Sequence, residues 1–231
     1  MGGSRASRAI GPAHRCFYRL GADRTGRKPV RELVLDIETI PCKPSLWRKL
    51  DQELRQKFLR DDVSEQEGWK NTALDPVLGR IACIGLLFVE DRENRVEVLA
   101  GLDEARLLKR FWHLVRSDDY IIGHNVLDFD LPFIRVRSVV CGVRPTRQFD
   151  LRRYSTETIY DTMQVWAHWD PKRRPRLELL AKILALQGKL GTARELYEWW
   201  QKKQWDMIER YCEQDLRLTY KIFRRLRRYG L

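Results

Sequence analysis

Two carboxylates stand two residues apart in an otherwise apolar run, Leu33 to Ile40, read LVLDIETI. Side chains alternate along an extended segment, so Val34, Asp36, Glu38 and Ile40 share one face while Leu33, Leu35, Ile37 and Thr39 share the other. Like charges side by side on a half-buried face are costly, and they are tolerated when they share a proton, meet a cation or hold a metal. No Lys or Arg lies within the run. Either the strand turns this face to water and both acids are solvated, or the pair does chemistry. Later acids pose the same choice. Asp130 precedes a helix that Pro132 places near Leu131, where an Asp serves as N-cap and needs no other role. Asp128 falls in the turn before it, on a solvated reading, and Asp161 can cap the helical stretch that follows it. Tyr211 and Asp215 are four apart, hence on one helical face, beside a stripe of Ile208, Cys212, Leu216, Thr219 and Phe223. An exposed pairing of Asp215 with Arg217 is the structural alternative there.

The elements that must position these groups follow from periodicity and breakers. Pro41 and Pro44 end the first strand. Ser45 to Arg60 then reads as an inserted helix, with Leu46, Leu50, Leu54 and Phe58 at four-residue spacing. Asp61 to Leu78 is polar and aperiodic, a candidate mobile loop beside the site. Arg80 to Glu90 and Arg95 to Ala100 are two strands joined by the turn Asp91 to Asn94, an antiparallel meander with the first. Asp103 to Val115 is an amphipathic helix that buries Leu107, Leu108, Phe111 and Trp112. Tyr120 to Gly123 is a fourth strand, parallel to the first after a helical crossover. Gly142 stops the next helix, and Gly142 to Glu157 is a basic, turn-rich connection. The cation run Pro171 to Arg176 is either a solvated loop or a phosphate contact, and the basic balance of the chain favours the second. Leu177 to Leu186 is a short helix broken at Gly188 to Gly191. Trp199, Trp200 and Trp205 read as core more than as stacking platforms. The last helix spans Trp205 to Tyr229.

Composition narrows the function classes. With 231 residues and 43% hydrophobic content the chain can bury a full core. A net charge of +12 favours an anionic partner, nucleic acid before membrane. Residues 1–31 supply +7 of it, with eight cations against Asp23 alone, and read as a flexible basic arm. The same composition suits an organelle transit peptide, the less favoured reading. Five scattered cysteines without a CxxC pair argue against a disulfide framework or thiolate zinc, and so for a reducing intracellular setting, the cytoplasm. The longest apolar run, Ile81 to Val89, is too short to span a bilayer. Nothing marks an obligate protein partner.

Taken together, DIE at 36 to 38, HNxxxFD at 124 to 130 and YxxxD at 211 to 215 resemble the three motifs of the DEDD 3′-5′ exonuclease superfamily, and the Tyr places the resemblance in its DEDDy branch. The segments LELLAKILALQGKLG and IERYCEQDLRLTY are similar to the PolB-like 3′-5′ exonuclease family. That resemblance implies an α/β, ribonuclease-H-like fold over residues 32–231, a mixed central sheet flanked by helices. It also implies convergence of Asp36, Glu38, Asp130 and Asp215 on two Mg²⁺ or Mn²⁺ ions. Asp36 would be shared between the ions, Tyr211 would orient the attacking water, and His124, Asn125, Phe129 and Lys189 would contact substrate. The implied reaction is removal of nucleotides from the 3′ end of single-stranded nucleic acid, DNA favoured. Rival readings are a structure-selective nuclease on the same fold and a non-catalytic nucleic-acid-binding module.

Overall fold

The central strand β1, Glu32–Ile40, is extended because its β-branched and leucine side chains can be buried on both sides at once. The computed structural model describes residues 31–59, 63–90, 93–186 and 193–231. After β1 come three short helices, α1 (Pro44–Trp47), α2 (Gln52–Gln56) and α3 (Glu65–Asn71). Strands β2 (Arg80–Glu90) and β3 (Glu93–Ala100), helix α4 (Glu104–Leu114), strand β4 (Tyr120–Gly123) and helix α5 (Asp130–Val140) follow. The remainder is β5 (Ile159–Asp161), α6 (Thr162–Trp166), α7 (Leu177–Ile183), α8 (Ala193–Gln201) and the long α9 (Trp205–Arg228). The sheet order is β3-β2-β1-β4-β5, antiparallel from β1 to β3 and parallel from β1 to β5. This mixed sheet flanked by helices is the α/β architecture expected of a ribonuclease-H-like chain.

Alternation along β1 divides the core. Leu33, Leu35 and Ile37 pack with Leu108 and Phe111 of α4 and Leu131 and Ile134 of α5. Val34, on the other face, packs with Cys212, Leu216 and Phe223 of α9. Asp36 and Glu38 belong to this second face and therefore look towards α9. Arg31, counted with the basic arm by composition, is an element of the fold: its guanidinium is buried and forks onto Asp119 at 2.7 Å twice, tying the start of β1 to the start of β4. Residues 1–30 lie outside the described residues.

Two expectations are corrected. The single helix Ser45 to Arg60 is instead α1 and α2, separated at 48–51. Asp51 caps α2 by accepting the Leu54 N–H at 2.8 Å, so the segment carries two helix starts. Its stripe packs only in part, for Leu46 and Leu54 are exposed while Phe58 meets the edge of the buried Trp47. The expected loop at 61–78 holds α3 and a 3-10 turn, Thr72–Leu74, and is fastened to the end of β1. Trp69 Nε1 donates to the Cys42 carbonyl at 2.9 Å, and Thr72 Oγ1 accepts the Cys42 N–H at 3.0 Å. Among the described residues no helix is long and apolar enough to cross a membrane.

Helix α9 can approach the sheet closely because Gly85, the residue opposite Asp36 on β2, has no side chain. A Cβ there would overlap Cys212 Sγ and lie 3.0 Å from Leu216 Cδ1. Gly85→Ala is therefore expected to lose about 1 to 3 kcal/mol by overpacking and to push α9 away from β1. Denaturant unfolding measures the first effect and catalytic rate the second. An unchanged midpoint would mean that the helix has room to spare.

Candidate active site

The parallel strands place the site. β4 pairs with β1 only from Glu32 to Val34, then turns away, so beyond Val34 the β1 backbone has a bare edge on that side. Buried N–H groups need partners. The Ile37 N–H finds one in Asp130 Oδ1 at 2.9 Å. The crevice outside the carboxyl ends of parallel strands is the usual ligand-binding position in open α/β sheets.

On the α9 face, Asp36 and Glu38 are half-buried and Asp215 is buried. One carboxylate oxygen from each lies within 4.8 Å of the other two, so acids nearly 180 residues apart in sequence share one small volume. A β-bulge follows at once: Glu38 pairs with Cys83 but Thr39 with Ile81, leaving Ala82 as the extra residue on β2. Bulges re-aim side chains next to active sites. Ala82 packs with Tyr211, which is buried one helical turn before Asp215 and meets the edge of Trp199 at 6.0 Å. Cys212 sits between them on the α9 face. Its thiol is pushed up by a hydrogen bond with Cys83 and by burial.

Asp130 reaches the site from the opposite layer and is not one of the three clustered acids. The cap reading fails, because α5 begins at Asp130 itself, with Phe129 in the cap position, and the carboxylate goes to β1 instead. Burial pushes its carboxyl up to about 7, against the Ile37 and Asp130 N–H groups that favour the charged form, with the Asp161 charge adding to the rise. Asp161 does cap α6, through the N–H groups of Met163 and Gln164. It also accepts those of Asn125 at 2.9 Å and Leu127 at 3.0 Å, and so holds the turn that delivers Asp130. Burial raises the Asp161 carboxyl too.

Asn125 explains its own residue type, with φ of 68° in the left-handed region that Asn tolerates. His124 is used by the fold, Nδ1 paired with Thr162 Oγ1 at 2.9 Å and Nε2 with the Pro175 carbonyl at 3.1 Å. Phe129 is half-buried with its ring tilted on Phe133, and Lys189 lies outside the described residues. Asp128 is exposed, as the turn position suggests, and it is also paired. It accepts Gln164 Nε2 at 2.9 Å and Arg174 Nη1 at 2.7 Å, so Arg174 is drawn out of the cation run as a bracket for the same turn. Arg217 pairs with Glu213, not Asp215.

Three supports were not foreseen. Gly85 was open to inference, since an isolated Gly inside a strand pattern signals close backbone approach. Glu104 and Arg137 form a buried pair at 2.8 Å, and Glu104 also accepts the Ile81 N–H beside the bulge, locking α5 to β2. The third is Asp161 in its double use.

Residues 72–230, more than half of the chain, match a family model described as a predicted 3′-5′ exonuclease related to the exonuclease domain of PolB. The matched span holds Asp130, Tyr211 and Asp215. It begins after β1, so Asp36 and Glu38 join it through sheet pairing across the α1–α3 segment. No curated protein matches the sequence.

Proposed function

We propose, since the chain belongs to the family of predicted 3′-5′ exonucleases related to the exonuclease domain of PolB, that it hydrolyses phosphodiester bonds from the free 3′ end of single-stranded nucleic acid, DNA in preference to RNA. The observation that carries this reading is the convergence of Asp36, Glu38 and Asp215, with oxygens within 4.8 Å, beside a buried Asp130 tied to the intervening Ile37. An all-oxygen, acidic donor set fits hard divalent cations. Asp36, Glu38, Asp130 and Asp215 would hold two Mg²⁺ or Mn²⁺ ions. Such ions supply hydroxide at neutral pH and offset the negative charge that builds on the phosphate.

The chain's own residues supply position. Tyr211 orients the attacking water through its hydroxyl. His124 and Asn125 shape the turn that presents Asp130. Of the described substrate candidates, Phe129 is the one with an aromatic face to offer a base. The cations preceding Arg31 add phosphate contacts without sequence preference. Buried thiols without a disulfide at Cys42, Cys83 and Cys212 suit a reducing, intracellular setting.

A 5′-labelled single strand tests the reading, with its 3′ end free or blocked, in Mg²⁺, in Mn²⁺ and in chelator. The expected result is a ladder shortening from the free 3′ end, absent in chelator and on the blocked strand. Internal cutting of the blocked strand would make the protein an endonuclease. No cutting of any substrate would make it a binding module.

A further inference from the structure

The turn that delivers Asp130 also carries an aromatic and basic surface that the catalytic reading does not use. Asp128, two residues before Asp130, meets Arg174 on Oδ2 at 2.7 Å and Arg153 on Oδ1 at 3.8 Å. Arg153 is followed by Tyr154, which is 75% exposed and whose ring tilts on that of the half-buried Trp169 at 5.2 Å. Trp169 hangs from the same scaffold. Its N–H donates to the Gln164 carbonyl at 2.9 Å, and Gln164 Nε2 donates to Asp128 at 2.9 Å. Both aromatics hold left-handed backbone, Tyr154 with φ of 65° and Trp169 with φ of 64°. Bulky residues rarely adopt that region, and such strain clusters at ligand-contacting surfaces. Lys172 and Arg176, on the segment that carries Arg174, are exposed and form no ion pair among the described residues.

Topology puts this surface at the carboxylate end of the sheet. Asp128 follows the last residue of β4, and Trp169 and Arg174 follow the last residue of β5, which pairs with β4 in parallel. β1 is parallel to both, so its own carboxyl end, with Asp36 and Glu38, lies on the same side. We infer that Tyr154, backed by Trp169, is a stacking platform for a base of the substrate strand on the 5′ side of the nucleotide being removed. The path from Asp130 to the ring runs through the Asp128 and Arg153 side chains, so the nucleotide held at the carboxylates does not cover it. A strand attacked at its 3′ end has its remaining bases on the 5′ side only. The inference rests on the exonuclease reading and adds to it where the body of the strand is held. Every base has a flat face to set on an exposed ring, and the unpaired cations nearby attract the phosphates between bases.

The test uses the full chain and measures binding in chelator, without cleavage. Two fluorescently labelled oligodeoxynucleotides of equal length are titrated over a range of salt, one a thymidine strand and one with abasic sites in place of every base but the 3′-terminal one. Tyr154→Ala should weaken binding of the thymidine strand on the order of tenfold. Its salt slope should not change, because no phosphate contact is lost. Tyr154→Phe keeps the ring and should bind as wild type does. The abasic strand should bind wild type and Tyr154→Ala equally. Unchanged thymidine-strand binding in Tyr154→Ala, the result expected if the aromatic pair meets a protein instead, overturns the inference. So does an equal loss on the abasic strand, which would make the ring a structural element. A wild type that shows the expected binding pattern but cleaves no strand when Mg²⁺ is supplied would overturn the exonuclease reading and leave the platform standing.

Discussion

Asp36→Asn is expected to abolish 3′-end cleavage while the protein melts at the same temperature or higher. The side chain keeps its size and one acceptor oxygen, but it loses a charge proposed to hold the cations. Lewis-acid stabilisation of phosphoryl transfer is worth several kcal/mol, so the rate should fall on the order of a thousandfold or more. Stability moves the other way in metal-free protein. Three carboxylates with oxygens within 4.8 Å of one another repel, and neutralising one relieves that repulsion. Tyr211→Phe provides the scale. It deletes a hydroxyl assigned to positioning, a hydrogen bond worth about 1 to 3 kcal/mol, and should leave a measurable residual rate. Single-turnover cleavage of an end-labelled strand, paired with thermal melts in chelator, compares the two. Wild-type turnover in Asp36→Asn would remove the cluster from the chemistry. A Tyr211→Phe variant as inert as Asp36→Asn would mean that Tyr211 does more than position water.

Strands with strong alternation and helices with clear stripes were legible in the sequence, and so was everything that depends on them. β1 sits centrally, β4 returns parallel to it, and α9 carries Tyr211 and Asp215 on one face. The failures share a cause, which is that a local signal has more than one use until the partner is known. Asp130 has the residue type and position of a helix cap. What the sequence does not display is that β4 ends early and leaves the Ile37 N–H bare, and that tertiary fact draws the carboxylate off its helix. Asp128 is exposed as read, but its partners, Gln164 and Arg174, come from segments more than 30 residues away and leave no local signal. The four-residue leucine spacing after Pro44 was outweighed by Pro44 and Asp51, each starting its own short helix. At 61–78 the signal was present: Ser64 and Glu67 have capping-box spacing, with Ser64 Oγ accepting the Glu67 N–H and donating to the Glu67 carboxylate. Three residues are too few for periodicity to reveal β5, and the bulge at Ala82 depends on register.

The early end of β4 also sets the logic of the catalytic end. A sheet whose central strand outruns its parallel neighbour must satisfy the exposed backbone N–H, and it does so with an acid instead of another strand. That single bond brings the α5 layer to the strand that carries Asp36 and Glu38, while Gly85 lets the α9 layer come in from the other side. Each layer therefore contributes a carboxylate to the end of one strand, and the charge so gathered has to be neutralised by protons or by cations.

Asp130→Asn separates those two ways. In the metal-free protein the Asp130 carboxyl is raised to about 7 from an ordinary 3.8. The folded state thus binds this proton more tightly than the unfolded state does. The resulting stability is fully present below pH 3.8 and is lost as pH rises through about 7. Metal-free wild type should therefore melt higher at pH 5 than at pH 8, with about 3 kcal/mol as the ceiling on the difference. Asn cannot titrate, and its carbonyl oxygen still accepts the Ile37 N–H. The variant should lose most of that pH dependence, keeping the part owed to Asp161, and at pH 8 in chelator it should be more stable than wild type. Added Mg²⁺ should reverse the order by raising the wild type at pH 8 far more than the variant, since a cation stabilises the ionised carboxylate that the folded protein otherwise resists. Cleavage by the variant should fall sharply at every pH. Melts at both pH values with and without Mg²⁺, together with cleavage rates, decide the matter. A fully active Asp130→Asn, or one whose melting responds to Mg²⁺ as wild type does, would remove Asp130 from the metal-holding set and leave it as the brace between α5 and β1.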